Sequence, residues 1–428
     1  MIQSPRGTYD ILPSDVYKWH YVERILTNLC ERYNYKEIRT PIFESTELFV
    51  RGVGETTDIV TKEMYTFLDK GDRSMTLRPE GTASVARSYV QHKLYAEQNQ
   101  LTKLYYMGPM FRYERMQKGR YRQFHQFGLE ALGGMAPQID AEIIALSVSM
   151  IRELGLKEVK VSINTLGDPE SRRAYRQALI DHFTPVKDEL CKDCHDRLEK
   201  NPLRVLDCKV DKDHEAMLSA PNMIDFLTDE AKTFFEDVLG YLDALAIPYE
   251  IDHNLVRGLD YYNHTVFEIL SNVKGFGAQT ALGGGGRYNH LVKEVGGPET
   301  PGVGVAFGIE RLILALEAEN IDIPTEDFLD VYVVSMDEET DRFAFQLVYQ
   351  LREAGFKVDK DYFKRKVRNQ FKQADKLNAR FTVIVGEEEL KNQTVNVKDM
   401  VTQQQEIVKI ESLTQFLLTH REVKTNEK

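Results

Sequence analysis

The sequence predicts an α+β unit, in which a helical insertion interrupts an antiparallel sheet, followed by a smaller α/β unit. Two strand-like segments flank the polar stretch MQKGRYR at 116–122, which is typical of an antiparallel hairpin. Charged helical sequence then fills about 168–245 before strand-like segments resume. After a boundary near residue 325, strands alternate with helices, which indicates parallel strand pairs.

The bulk composition restricts the class of protein. A chain of 428 residues is long enough for two or three units, and its net charge of -12 argues against a protein that coats nucleic acid indiscriminately. The first twenty residues lack the apolar run of a signal peptide, and no later run approaches the roughly 18 apolar residues of a membrane span. Four cysteines are too few for a disulfide framework in a chain of this size. These features predict a cytoplasmic protein without a membrane partner.

The first predicted unit, 1–325, begins with helical sequence. Apolar residues recur at helical spacing through 14–35, after Ser14 as the expected N-cap. The segment KEIRTPIFESTELF predicts a strand that ends near Pro41, followed by a further element. A second amphipathic helix is expected at 137–154, and the alternation in VKVSINTLG predicts the next strand.

The hairpin has two different faces and a basic connection. On its second strand, Phe124, Gln126, Gly128 and Glu130 alternate with the packing residues Phe127, Leu129 and Ala131. Within eleven positions the chain also places Arg112, Arg115, Lys118, Arg120 and Arg122. This charge indicates a nucleic acid backbone, a nucleotide phosphate or a solvated turn, and the pattern alone leaves all three open.

Three other segments carry polar residues in apolar surroundings. Glu80 and Thr82 in LRPEGTASVAR lie where a helix is expected to begin, so a simple helix cap is one interpretation. Arg257 in LVRGLDYYNHTVF precedes two tyrosines, which also suits a cation over an aromatic ring. Arg311 in GVGVAFGIERLILAL lies in a very apolar helix, where an ion pair or a bound anion is expected. The sequence contains no glycine-rich phosphate loop, so arginine side chains must hold any nucleotide phosphates.

Together these segments resemble a known family. TPIFESTELF, FRYERMQKGRYRQFHQFGLE and GVGVAFGIERL resemble the three signature motifs of class II aminoacyl-tRNA synthetases, in the correct order. RGLDYY at 257–262 and LGGGGRY at 282–288 resemble elements peculiar to histidyl-tRNA synthetases. The resemblance runs from GTYDILP through the C-terminal unit. It implies an antiparallel class II catalytic sheet flanked by helices over 1–325, with the helical insertion at about 168–245, and an anticodon-binding α/β domain over 326–428.

The resemblance also implies a reaction and its partners. Histidine and ATP would give histidyl-adenylate and pyrophosphate, and the histidyl group would pass to the terminal adenosine of tRNA(His). ATP is then a substrate and Mg²⁺ an accompanying ion. The family further implies a homodimer with the segment around Pro41 at the subunit interface.

The resemblance assigns roles to individual residues. Arg257 is the first choice as the catalytic residue, beside the α-phosphate, with Arg112 contacting the same phosphate and the carboxylate of histidine. The implied ATP-binding residues are Arg112, Glu114, Arg120, Phe124 and Arg311, with Phe124 on the adenine ring and Arg311 at the γ-phosphate. The implied histidine-binding residues are Glu80, Thr82, Arg112, Gln126, Glu130, Arg257, Tyr261 and Tyr262. The hairpin loop, with Gln117, Lys118, Arg120 and Arg122, is left for the outer phosphates and the tRNA acceptor end.

In the C-terminal unit, a basic segment is the candidate tRNA-binding surface, although a solvated helix face has the same composition. Its cations are Lys360, Lys364, Arg365, Lys366, Arg368, Lys372 and Lys376. Because single-stranded bases are read by stacking, the aromatic residues Tyr362, Phe363 and Phe371 are candidates for anticodon contacts.

The cysteines of the insertion leave a question open. Cys191, Cys194 and Cys208, with His195 or His214, make four possible zinc ligands, but no familiar zinc-finger spacing is complete. Three reduced thiols in a helical insertion explain the same residues. The predicted reaction site itself has no metal ligand among its residues.

Two other functions compete with the synthetase. A non-catalytic, histidine-sensing regulatory subunit of ATP phosphoribosyltransferase shares the catalytic-domain fold, but RGLDYY and the C-terminal α/β unit argue against it. An RNA-binding module would use the same basic patches, but it leaves Arg311, Glu80, Gln126 and Glu130 without a purpose.

Overall fold

The computed structural model of this chain describes residues 1–54, 57–96, 100–208, 210–273, 281–325 and 328–421. They divide into two compact units, Met1–Ile323 and Pro324–Lys428. Each unit has its own sheet and its own hydrophobic core. Within the described residues, none of the helices combines the length and apolar character needed to cross a membrane.

A large, mostly antiparallel sheet forms the centre of the first unit. The strands described in this unit are β1 (Lys36–Glu37), β2 (Phe43–Ser45), β3 (Tyr65–Leu68), β4 (Ser74–Leu77), β5 (Thr102–Phe111), β6 (Gln123–Leu132), β7 (Val159–Thr165), β8 (Tyr249–Ile251), β9 (Asn263–Ser271), β10 (Ala281–Arg287) and β11 (Gly302–Gly308). Eight of them form one sheet in the order β1-β5-β6-β11-β10-β9-β7-β8, and β2-β4-β3 form a separate sheet. The larger sheet is antiparallel except for the outer pairs β1–β5 and β7–β8.

Helices cover both faces of this sheet. The helices described in the first unit are α1 (Val16–Arg32), α2 (Thr46–Val53), α3 (Thr82–Gln91), α4 (Pro137–Glu153), α5 (Pro169–Phe183), α6 (Lys192–Lys200), α7 (Glu215–Leu218), α8 (Asp229–Ala244), α9 (Leu291–Glu294) and α10 (Ile309–Ala318). Tyr105 of β5 belongs to the core beneath α1, α4 and α10, whereas its neighbour Tyr106 belongs to the core beneath α3 and α5. The alternation along one strand therefore separates two cores, as the pleat of a strand requires.

The helical insertion lies between two paired strands. Helices α5–α8 and three 3₁₀ segments (Thr184–Glu189, Pro202–Val205 and Met223–Phe226) separate β7 from its parallel partner β8. Asp168 begins the insertion as the N-cap of α5, where its carboxylate accepts the N–H of Ser171 at 2.7 Å. Leu179, Phe183 and other apolar side chains of α5–α7 join the core beneath α3, whereas Phe235, Val238 and Leu242 of α8 join the core beneath α4. The insertion therefore packs on both sides of the sheet.

Two local predictions are wrong. Ser14 was expected as the N-cap of the first helix, but Asp15 holds that position, and the hydroxyl of Ser14 donates to the carboxylate of Asp15 at 2.9 Å. The strand expected to end near Pro41 ends at Glu37, because the chain leaves its partner β5 after two paired residues.

The second unit contains a mixed sheet. Its described strands are β12 (Val331–Ser335), β13 (Val358–Lys360), β14 (Phe381–Val385), β15 (Thr394–Asp399) and β16 (Gln405–Lys409), and its described helices are α11 (Glu338–Glu353), α12 (Val367–Lys376), α13 (Glu387–Lys391) and α14 (Leu413–Arg421). The sheet order is β13-β12-β14-β15-β16. Strand β12 pairs in parallel with both neighbours, which confirms the parallel pairs expected from the alternation of strands and helices.

Candidate active site

The two strands of the basic hairpin form the floor of the candidate site. Strands β5 and β6 pair antiparallel along ten residues, with Gly108 opposite Gln126 and Leu104 opposite Glu130. Phe127, Leu129 and Ala131 point into the core on one side of the sheet, as the alternation predicted. The polar residues of β6 therefore share the opposite face.

A cavity of about 420 Å³ opens above this floor, between β6, β9, β10, β11 and the hairpin loop. It brings together seven of the predicted site residues: Arg112, Glu114, Arg120, Phe124, Gln126, Arg257 and Arg311. The other five, Glu80, Thr82, Glu130, Tyr261 and Tyr262, do not line it and are buried. The site thus has an open, cationic part and a buried, polar part.

Arg112 lies between the two parts. Its Nε donates to the backbone carbonyl of Pro79 at 2.8 Å, directly before Glu80. Its guanidinium carbon lies 5.2 Å from the centroid of the Phe124 ring, and Nη1 lies 3.8 Å from the carboxylate of Glu114. The carboxylate of Glu114 also pairs with Arg120 at 3.1 Å. Backbone and carboxylate contacts therefore fix the guanidinium of Arg112 at the wall of the cavity.

Arg257 reaches the cavity from the segment before β9. It forms an ion pair with Glu268 of β9, and its guanidinium carbon lies 5.8 Å from the centroid of the Tyr262 ring. Its buried Nε has no hydrogen-bond partner among the described residues. A Cβ at Gly284 of β10 would lie 2.6 Å from Nη1, so only glycine leaves room for this guanidinium. The glycine-rich sequence at 282–286 thus forms a strand surface that accommodates an arginine.

Arg311 lies in the first turn of α10, where β11 runs directly into the helix. Its methylene groups lie 3.3 Å from a Cβ position at Gly308, and Cγ lies 3.7 Å from a Cβ position at Gly119 in the hairpin loop. The preceding residue, Glu310, accepts the backbone N–H of His125 at 3.0 Å through both carboxylate oxygens. The start of α10 is therefore tied to β6, which holds Arg311 over the cavity.

Glu130 is the centre of the buried part. Its carboxylate accepts the hydroxyl of Thr82 at 2.6 Å and the hydroxyl of Tyr288. Burial raises the pKa of the Glu130 carboxyl to about 8, although both hydroxyl donors oppose the shift. This carboxyl group therefore changes its protonation state close to neutral pH.

Glu80 has the geometry of a helix cap. Its carboxylate accepts the backbone N–H groups of Thr82 and Ala83, both at 2.8 Å, at the start of α3. Burial raises the pKa of the Glu80 carboxyl above its ordinary value, while these backbone donors oppose the shift. The structure therefore contains the helix cap that the sequence left as one interpretation of Glu80. By capping α3, Glu80 also orients Thr82 toward Glu130.

Four tyrosines surround the buried part. The ring centroids of Tyr261 and Tyr262 lie 4.6 Å apart, and that of Tyr288 lies 5.6 Å from Tyr261. The fourth, Tyr106 of β5, is buried against β6. A Cβ at Gly128 would lie 2.2 Å from the Tyr106 ring, so β6 requires glycine there.

Sequence reasoning missed four residues of this site. They contact or surround the predicted residues, and they are Glu268, Glu310, Tyr106 and Tyr288. Each lies within or beside a segment in which the sequence analysis selected a different residue. Tyr288 ends the segment LGGGGRY, and Glu310 directly precedes Arg311. Their positions in these motifs could have marked both residues as candidates for the site.

The arrangement suits an anionic ligand that carries an aromatic ring. Arg112, Arg120, Arg257 and Arg311 line one cavity, and guanidinium groups bind phosphate and carboxylate oxygens in pairs. Phe124 supplies a flat apolar surface at the same wall. Among the residues that the structure describes, the buried Oε1 of Gln126 and Nε of Arg257 have no hydrogen-bond partner, so both suit a bond to a ligand.

In the second unit, the basic segment is only partly exposed. The side chains of Tyr362 and Phe363 are 56% and 76% exposed, whereas Phe371 packs against a small core. Lys360 is buried in an ion pair with Asp341. The prediction that Lys360 belongs to an exposed basic surface is therefore wrong. The exposed cations are Lys364, Arg365, Lys366, Arg368, Lys372 and Lys376.

The antiparallel sheet and its arginine-lined cavity define the catalytic fold of a class II aminoacyl-tRNA synthetase. A family model described as histidyl-tRNA synthetase matches residues 7–312, and one described as anticodon binding domain matches 330–420. The chain belongs to the histidyl-tRNA synthetase family.

Several relatives match the chain over nearly its full length. A histidine--tRNA ligase of Geobacillus sp. is 59% identical, covering 97% of this chain and 98% of the relative. One of Anoxybacillus flavithermus is 60% identical, covering 95% and 96%. The structure of the apo histidyl-tRNA synthetase of S. aureus is 49% identical, has a TM-score of 0.85 and covers 97% of this chain and 100% of that chain.

A Bacillus halodurans structure is described as an ATP phosphoribosyltransferase regulatory subunit/histidyl-tRNA synthetase. It is 22% identical with a TM-score of 0.63, covering 87% of this chain and 96% of that chain. At this identity, the likeness shows a shared fold.

Proposed function

We propose that this chain is an aminoacyl-tRNA ligase that activates L-histidine with ATP and transfers the histidyl group to the terminal adenosine of tRNA(His). The observation that carries the proposal is the convergence of Arg112, Arg257 and Arg311, from three separate segments, on one cavity beside Phe124. The names and coverage of the relatives support the same activity. None of these findings favours the alternative of a non-catalytic regulatory subunit.

ATP occupies the open part of the site in this proposal. Phe124 stacks on the adenine ring, and the carboxylate of Glu114 accepts its amino group. Arg311 binds the γ-phosphate, and Arg120 binds the outer phosphates from the hairpin loop. The shared cavity supports these roles, since each of the four side chains lines it.

Histidine lies between the cavity and the buried part. The buried Oε1 of Gln126 has no hydrogen-bond partner within the described part of the chain, and it accepts a hydrogen bond from the ammonium group. Glu130, Tyr261 and Tyr262 meet the imidazole, while Thr82 and Glu80 orient Glu130 and the start of α3. A pKa of about 8 lets the Glu130 carboxyl accept or donate a hydrogen bond to a ring nitrogen near neutral pH. Apolar amino acids would leave these buried groups unpaired and are therefore rejected.

The first reaction step needs positioning more than proton transfer. A carboxylate oxygen of histidine forms a bond to the α-phosphorus of ATP, and the bond from that phosphorus to the oxygen of pyrophosphate breaks. The nucleophile is already ionised, so no general base is required. Arg112 and Arg257 align the two anions and stabilise the charge that develops on the α-phosphate.

Mg²⁺ would accompany ATP and neutralise its outer phosphates. Glu268 and Glu310, which also line the cavity, would offer the oxygen ligands that Mg²⁺ prefers. The arginines of the cavity bind the phosphate oxygens that remain.

The second unit would bind the anticodon, with a domain boundary near residue 325. The exposed aromatic side chains of Tyr362 and Phe363 support this role, together with the exposed cations around them. Exposed aromatic rings stack on unpaired bases, and the cations neutralise phosphates.

The enzyme is also proposed to be a cytoplasmic homodimer. Beside Pro41, the apolar side chains of Ile42, Phe43, Phe67 and Leu68 are 44–65% exposed, which is typical of a surface that a partner covers. The rings of Phe43 and Phe67 lie 6.3 Å apart across the small sheet. Analytical ultracentrifugation of the purified chain is expected to give a dimer, and a monomer would contradict this assignment.

Aminoacylation of total bacterial tRNA tests the complete function. With each labelled amino acid in turn, we expect only histidine to be transferred to RNA, and only when ATP is present. A protein that binds histidine but transfers none to tRNA would instead support the regulatory alternative.

A further inference from the structure

Three cysteines and an aspartate that have no assigned role in catalysis converge in the helical insertion. The thiols of Cys191, Cys194 and Cys208 and a carboxylate oxygen of Asp211 all lie within 4.8 Å of one another. All three cysteines are free thiols. Cys194 and Cys208 are buried, and the other two residues are half-buried. We call these four residues the cysteine cluster.

The spacing of the cluster suits one tetrahedral ion. The sulfurs of Cys191 and Cys208 are 3.7 Å apart. Four ligands at a zinc–sulfur distance of about 2.3 Å in tetrahedral geometry place neighbouring sulfurs about 3.8 Å apart. A disulfide bond would need about 2.05 Å. The separation of these two sulfurs therefore matches two thiolates bound to one zinc ion better than a disulfide bond.

Backbone hydrogen bonds hold the ligands in this arrangement. Cys191 is the N-cap of α6, and Cys194 lies in its first turn. The backbone N–H of Cys191 donates to Oδ2 of Asp211 at 3.0 Å, and the N–H of Asp211 donates to the sulfur of Cys208 at 3.3 Å. Bonds of this kind orient ligands in metal sites, and both favour the negatively charged forms that bind a cation.

The two histidines considered from the sequence do not complete the set. Nδ1 of His214 accepts the N–H of Ala216 at 3.1 Å, and its Nε2 lies 3.3 Å from the carboxylate of Glu189. His195 follows Cys194 but does not belong to the group whose ligand atoms converge. Asp211, which the sequence reasoning did not consider, takes the fourth position.

We propose that the cysteine cluster binds one structural zinc ion through Cys191, Cys194, Cys208 and Asp211. Three soft thiolates and one carboxylate at tetrahedral spacing suit zinc better than magnesium or calcium, which prefer oxygen ligands. The ion cross-links the start of α6 to the segment that follows the 3₁₀ turn Pro202–Val205. Asp207, next to Cys208, lines the active-site cavity, so the ion also fixes a part of the cavity wall.

Metal analysis of the full-length, untagged protein tests the proposal without any substrate. We expect about one zinc per chain after gel filtration and a decrease of at least tenfold in Cys208→Ser and Asp211→Asn. Cys30→Ala is the matched control, because Cys30 is a free, buried cysteine of the other core. His195→Ala should also retain the ion. A wild-type protein without zinc, or a disulfide found by mass spectrometry under non-reducing conditions, would overturn the proposal.

A measurement on the wild-type protein covers the case in which the variants do not fold. Chelator treatment should make three thiols reactive toward a thiol reagent, and added Co²⁺ should then restore their protection and produce a sulfur-to-cobalt absorption band. Equal thiol reactivity before and after chelation would contradict a metal site. Both readouts are independent of histidine, ATP and tRNA, so they separate this proposal from the proposed catalytic function.

Discussion

At the scale of single residues, the site depends on guanidinium groups that are held before the substrates arrive. Arg112 bonds to the carbonyl of Pro79, and Arg257 is paired with Glu268. Neither group needs to change its charge during the reaction, since a guanidinium stays protonated. The contribution proposed for them is therefore electrostatic, and it is expected to be largest when charge develops in the transition state.

Substituting Arg257 by alanine tests this role. We expect the rate of histidyl-adenylate formation to fall by about 10²–10³, the usual loss when one preorganised donor to a transition-state oxyanion is removed. The KM for histidine should change far less. Single-turnover formation of adenylate checks the rate, and Arg32→Ala is the control because that arginine is exposed on α1. An increased KM with kcat unchanged would assign Arg257 to ground-state binding.

The buried carboxyl of Glu130 predicts a dependence of stability on pH. Its pKa is raised from 4.5 to about 8, so between these values the native state keeps a proton that the unfolded state has lost. The free energy of unfolding then falls as the pH rises, by at most about 1.4 kcal/mol per pH unit. Glu130→Gln has no such proton, so its melting temperature relative to wild type should increase between pH 5 and pH 8.

Thermal melting of the ligand-free protein across this pH range is the measurement. Glu236→Gln, on the exposed face of α8, is the matched control and should melt in parallel with wild type. A constant difference between Glu130→Gln and wild type would show that Glu130 has the same proton affinity in both states.

At the scale of secondary-structure elements, glycines in the central strands decide where the large side chains fit. Strand β10 contains four consecutive glycines, Gly283–Gly286. A Cβ at Gly285 would lie 2.0 Å from the carbonyl oxygen of Gly304 on β11, and one at Gly284 would meet Arg257. The same run thus permits close strand pairing and creates the space for Arg257, the side chain proposed to be catalytic.

Gly284→Ala is expected to displace Arg257 without unfolding the protein. The added Cβ would meet the end of a flexible side chain, which can move. We therefore predict a loss of adenylate formation that approaches the loss in Arg257→Ala, with a melting temperature near that of wild type. Gly240→Ala on α8 is the control, since a Cβ there contacts nothing within 4 Å. Full activity of Gly284→Ala would mean that Arg257 does not need this space.

Much of the arrangement of strands and helices was predictable from the sequence. The hairpin, its two faces, the helical insertion and the alternation in the second unit follow from local periodicity, which burial enforces residue by residue. Asp211 and Glu268 were not predictable in this way, because their roles depend on partners that are distant in the sequence or lie on another element. The spacing of residues in a sequence also does not distinguish a carboxylate that caps a helix from one that binds a ligand. Glu80, which lies beside the site, caps the start of α3.

At the scale of the whole molecule, the first unit is expected to activate histidine and the second unit to select the tRNA.

The aromatic candidates of the second unit differ in exposure, a difference that could not be predicted from the sequence. Phe363→Ala should increase the KM for tRNA(His) about tenfold, since one base–aromatic stack contributes roughly 1–3 kcal/mol. Histidine activation without tRNA should be unchanged. Steady-state aminoacylation provides the measurement.

Phe345→Ala is the matched control for this experiment. Phe345 is an exposed phenylalanine of the same unit, on α11, outside the basic segment. If both variants charge tRNA as well as wild type does, Phe363 does not read the anticodon.

The most direct test of histidine activation is the exchange of labelled pyrophosphate into ATP. It is measured with each standard amino acid in turn, in the absence of tRNA. It reports only the reversible activation step, which the arginine-lined cavity and the buried polar part are proposed to perform together. We predict rapid exchange with histidine and at least a hundredfold slower exchange with every other amino acid, because the buried groups of the site would remain unpaired. No exchange with histidine, or equal exchange with several amino acids, would contradict the proposed function.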